Sequence, residues 1–156
     1  MSPARSAWKY RLKRDGLASA LLQPEVQAAF PHIPSAPVVP AIFEWSGMLD
    51  QRLILSWAVI DSPAALTGAA DRLRRTGWHP AAQSTAISAA LDWGERLLAE
   101  GGACWQATLD LNADSTSNDG PQPRKVAIGE VTVNALAIGI GASVRVDHAE
   151  TDLANL

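Results

Sequence analysis

Apolar and polar residues alternate along this chain with two different periods, and the switches between them mark out its elements. Leu53, Ile54, Leu55, Trp57, Val59 and Ile60 make the densest apolar run. A run of that length, partly β-branched, predicts a strand covered on both faces. Ser62 and Pro63 follow at once, an N-cap oxygen and a proline suited to the first helical position, so a helix is expected over residues 62–76. Leu66, Ala69, Ala70 and Leu73 recur at helical spacing, and Gly77 is placed to end the helix in a left-handed conformation. A second helix is expected from Ala81 or Ser84 to Glu100, because Ile87, Leu91, Gly94 and Leu98 share a stripe and Gly101-Gly102 closes it.

Period-two alternation predicts the remaining strands. Trp8, Tyr10 and Leu12 alternate with Lys9, Arg11 and Lys13, which in a strand separates an apolar face from a cationic one. Ala41–Trp45 reads as a short strand turning through residues 47–50 into the apolar run. Cys104–Leu111 alternates, Lys125–Val133 alternates with a bulge at Gly129-Glu130, and residues 135–146 place Leu136, Ile138, Ile140, Val144 and Val146 on one face. The opposite face of that last strand carries Ala135, Ala137, Gly139, Gly141 and Ser143, bare enough for close approach by another element, a subunit or a ligand.

Between these elements, residues 17–30 suggest two short helical pieces, the second opened by Pro24 and Glu25. Residues 31–40 hold four prolines and predict an extended strap. Residues 112–123 have turn chemistry throughout and predict a mobile loop, and the acidic residues 147–156 predict a frayed tail. The fold class expected is therefore one α+β domain: an antiparallel sheet of five or six strands, with the two consecutive helices packed on one face.

Charge adds a second layer. The net charge is −3, yet Arg5, Lys9, Arg11, Lys13 and Arg14 against Asp15 leave the first fifteen residues at +4 and the remainder at −7. A basic head on an acidic body makes Trp8, Lys9, Tyr10, Arg11, Lys13 and Arg14 candidate nucleic-acid contacts, cations for phosphates and rings for bases. The alternative is an edge strand whose cations discourage aggregation. Apolar stretches fall short of a membrane span, and the single Cys104 cannot form an internal disulfide, so a cytoplasmic protein without membrane contact is expected.

Catalytic signals are sparse. Gly139-Ile140-Gly141 lacks the third glycine of a dinucleotide loop. His32, His79 and His148 have no ligand-spaced partners, so no metal and no cofactor is expected. Cys104 with His148 downstream, oriented by Asp152 or Asn155, is the one candidate nucleophile and base, and a carboxylate pair of Glu44 with Asp61 is open to any fold. The function expected is a non-catalytic protein-interaction or assembly module, homo-oligomeric, with Gly139, Gly141 and Ser143 at its interface. The alternatives are a nucleic-acid accessory protein built on the basic head, and a Cys-dependent hydrolase.

Overall fold

A computed structural model describes residues 3–29, 37–126 and 129–137. Among them are four α-helices and two sheets of two strands each. The chain divides into two compact units, residues 1–44 with 52–80, and residues 45–51 with 81–156.

The first unit begins with α1 (Pro3–Leu21) and α2 (Pro24–Ala29). Residues 8–13 are therefore helical, and the strand expected there is corrected. Their period-two alternation is local, whereas Ala18 and Leu21 continue an inward stripe down the same helix and pack into the core with Leu22 just beyond it. β1 (Ile42–Trp45) and β2 (Gln51–Leu55) are paired. The short connection between them makes the pair a hairpin. The long doubly covered strand is also corrected: β2 stops at Leu55, and Leu53 and Val59 are exposed. Beyond Leu55 the chain runs beside residues 37–40, the described part of the proline strap. Ala58 donates its amide to the Pro40 carbonyl at 3.1 Å and Ile60 donates to Val38 at 2.9 Å. Pro40 has no amide to return to Ala58, and the ladder is a single bridge between Val38 and Ile60.

α3 (Pro63–Arg75) carries the clearest local signals. Ser62 Oγ accepts from the Ala65 amide at 3.2 Å, and Pro63 opens the helix. Leu66, Ala69, Ala70 and Leu73 are buried with Leu55, Ile60 and Ala18 to form this unit's core. Gly77 does not take a left-handed conformation; the helix ends at Thr76 in extended backbone, its amide bonded to Leu73 O at 3.0 Å.

The second unit holds α4 (Ile87–Glu100), β3 (Ala107–Ala113) and β4 (Val131–Ala137). β3 and β4 pair in parallel, Leu109 opposite Val133 and Leu111 opposite Ala135. This overturns the single antiparallel sheet of five or six strands. The segment at residues 112–123, expected to be a mobile loop, belongs to a crossover long enough to carry the chain back past α4 through the 3-10 turn Pro123–Lys125. The strand expected from Lys125 with a bulge at Gly129-Glu130 is replaced by that turn, by a second turn at Gly129-Glu130, and by β4 from Val131.

The pairing of the two helices on one sheet is likewise corrected. α3 packs on α1 in the first unit, and α4 packs on β3 in the second. Leu109, Leu111 and Ala113 turn one face of β3 toward the core with Ile87, Ala90, Leu91 and Leu97 of α4. Gly94 lets the helix come close: a Cβ there would stand 2.7 Å from a Leu109 methyl. The other face of the ladder shows Thr108, Asp110 and Asn112 beside Thr132, Asn134 and Leu136, all exposed. Asn134 donates to Asp110 across it at 2.8 Å.

α4 starts at Ile87, later than its sequence pattern suggests, because the capping-type residues before it are used elsewhere. Ser84 Oγ donates to Asp119 at 2.9 Å, the Thr85 amide donates to Asn118 Oδ1 at 2.8 Å, and Thr85 Oγ1 meets Ser115 Oγ at 2.6 Å. The helix leaves through Gly101 into Gly102, whose φ of 88° favours glycine.

Candidate interaction site

α1 is the element whose two sides differ most in use. Its inward side carries Tyr10, Arg14 and Ala18. Arg14 donates to the Thr76 carbonyl at 2.7 Å and pairs with Asp15 at 2.8 Å. Arg52 on β2 donates to Glu44 at 2.6 Å and to the Gly77 carbonyl at 3.0 Å. These two cations, from α1 and β2, thus hold carbonyls just past the end of α3, which places positive charge where the helix dipole is negative. The Tyr10 hydroxyl and Glu44 Oε2 are buried without a well-formed hydrogen bond. Burial foremost, then the neighbouring Glu44 carboxylate, push the Tyr10 pKa above its ordinary value, against the opposing pull of Arg52 and Arg14. Hydrogen bonding to Glu44 in turn holds the Arg52 guanidinium's pKa up.

The outward side is different in kind. Trp8, Arg11, Leu12, Asp15, Gly16 and Ser19 line an open groove of about 470 Å³. Their numbers step by three and four, so all six share one helical face. Trp8 is 59 % and Leu12 60 % exposed, unusual for two large apolar side chains a turn apart.

The sequence-predicted nucleic-acid residues are accordingly divided. Trp8 and Arg11 lie on the groove, Lys9 is exposed, and Tyr10 and Arg14 turn toward the first unit's own interior. Lys13 is exposed but engaged in an interaction within the protein. The groove itself, with Leu12, Asp15, Gly16 and Ser19, was hidden by the strand reading; counting by threes and fours from Trp8 is the signal that finds it.

Cys104 is exposed and unpaired, next to Trp105, which is 84 % exposed. Glu44 is engaged by Arg52, and Asp61 is exposed. His148, Asp152, Asn155, His32, Gly139, Gly141 and Ser143 lie outside the described residues. Among the described residues no cluster of three His, Cys, Asp or Glu could hold a metal ion, and no helix is long and apolar enough to cross a membrane.

A protein-family profile described as "Protein of unknown function (DUF1194)" matches residues 1–154. The chain belongs to the DUF1194 family. No curated protein and no solved structure matches it significantly.

Proposed function

We propose that this protein is a non-catalytic interaction and assembly module that works through self-association in the reducing cytoplasm. The observation that carries this reading is the outward face of α1, where Trp8 and Leu12 stand exposed on a groove while the same helix spends its other side on the core. Large apolar side chains kept at a surface lose nothing by being covered, and aromatic anchors beside a notch are what protein interfaces select. A lone exposed thiol fits a compartment where thiols stay reduced.

Light scattering after size exclusion, over a wide range of protein concentration and at low and high salt, tests it. The expected result is a mass that rises above the 16.5 kDa of one chain as concentration increases, with little loss at high salt. A mass fixed at one chain, with salt-sensitive binding of an oligonucleotide, would instead favour the nucleic-acid reading of Trp8, Lys9 and Arg11.

A further inference from the structure

We propose that the outward face of α1 is a two-fold homodimer interface, with the helix packed antiparallel on α1 of a second copy so that Trp8 and Leu12 of each lie over the Asp15–Ser19 half of the other. The proposal rests on the self-association reading and names its surface. A two-fold interface must be self-complementary: whatever meets position j must present j to its partner's i. The groove has that property in size. Its N-terminal half is large and apolar, Trp8 and Leu12, and its C-terminal half is small, Gly16 and Ser19. An axis midway between Leu12 and Asp15 brings position 8 opposite 19, and 11 and 12 opposite 16 and 15.

The groove also has it in charge. Arg11 and Asp15 have opposite signs one turn apart, so the antiparallel arrangement sets Arg11 within reach of Asp15 of the partner subunit, twice over. Asp15 is bound to Arg14 through one oxygen, with half of its side chain exposed, and a carboxylate has acceptor capacity to spare. An acidic group in the middle of the strip also disfavours a polyanion as the occupant.

Gly16 supplies an independent argument. Mid-helix glycine costs about 0.5–1 kcal/mol relative to alanine, and among the described residues no atom beyond its chain neighbours and its own helix backbone lies within 4 Å of where its Cβ would be. Packing among the described residues therefore gives no reason for it, whereas close approach from outside does. Gly68 of α3 is equally open, but its neighbours one turn away are Ala64, Ala65, Asp71 and Arg72. Of these two mid-helix glycines, only Gly16 stands beside exposed large apolar side chains.

Sedimentation equilibrium on the full chain tests the arrangement, using wild type, Gly16→Leu, Arg11→Glu, Asp15→Lys and the double variant Arg11→Glu/Asp15→Lys, with circular dichroism to check the fold. Gly16→Leu places bulk in the notch, where a Cβ meets no described atom outside its own helix, and is expected to weaken the dimer by about tenfold or more. Each single reversal sets like charges together and is expected to do the same, while the double variant restores most of the affinity. Self-association unaffected by all four changes would overturn this interface and leave the assembly reading standing. A wild-type chain that stays monomeric at every concentration would overturn both.

Discussion

α1 and α3 pack against each other in the first unit, yet one was legible in the sequence and the other was not. α3 has one apolar stripe, a serine cap and a proline start, and its four stripe residues are all buried. α1 has large apolar residues on both sides, some at the core and some at the surface. A helix with a single destination for its apolar residues shows a clean 3.6-residue period; one serving two destinations blurs it. In residues 8–13 the blur happens to mimic a strand. The difference teaches that a weakly amphipathic helix can be the one with a second task.

The largest test of this contrast is truncation on each helix. Leu73→Ala in α3, at a site with no exposure, is expected to destabilise by about 2–5 kcal/mol. Leu12→Ala in α1 should stay within about 0.5 kcal/mol in dilute protein; urea unfolding of both variants measures the gap. A loss of core size at Leu12 would erase the distinction between the two faces.

Glycines sharpen it next. Gly94→Ala in α4 forces a methyl onto Leu109 and is expected to cost about 1–3 kcal/mol. Gly16→Ala meets nothing and should gain about 0.5–1 kcal/mol. Opposite signs in thermal or urea unfolding are the expected outcome. Smaller again is Ser62→Ala, which removes the α3 cap and should lower stability by about 1 kcal/mol.

The subtlest test concerns the inward side of α1. Tyr10 is the only tyrosine in the chain, so tyrosinate absorbance reports it alone. Its pKa in the folded protein lies above the ordinary 10.0, which means the folded state holds this proton more tightly than the unfolded state. The associated stability is present in full below pH 10 and is lost as pH rises through the folded value. The expected titration midpoint is above the ordinary one, and Tyr10→Phe should remove that component of alkaline destabilisation. A midpoint at the ordinary value would show that Tyr10 is not buried beside Glu44.

Legibility in the rest of the molecule followed the range of the forces involved. The start of α3, with Ser62 as cap and Pro63 at the first position, is set by nearest neighbours, and the sequence carries it; its end was misplaced at a left-handed Gly77, and the hairpin tip also leans on distant partners, Met48 donating to Asp119 and Asp50 accepting from Ala82. The start of α4 was missed because Ser84 and Thr85 bond to Ser115, Asn118 and Asp119, more than thirty residues away in the chain for most of these contacts. The parallel pairing of β3 with β4 was missed because a turn-rich segment between two strands looks the same whether it folds back as a hairpin or crosses over. Of the candidate site, Trp8 and Arg11 were visible as an aromatic and a cation, but their grouping with Leu12, Asp15, Gly16 and Ser19 exists only once the segment is known to be helical.

One measurement bears most directly on the claim that α1 keeps one face for the core and the other for a second copy: sedimentation equilibrium and urea unfolding of Leu12→Asp beside wild type. The account predicts that wild type dimerises with increasing concentration, while Leu12→Asp remains a single folded chain with unfolding unchanged in dilute solution. A Leu12→Asp chain that is itself unfolded, or that dimerises as wild type does, would contradict it.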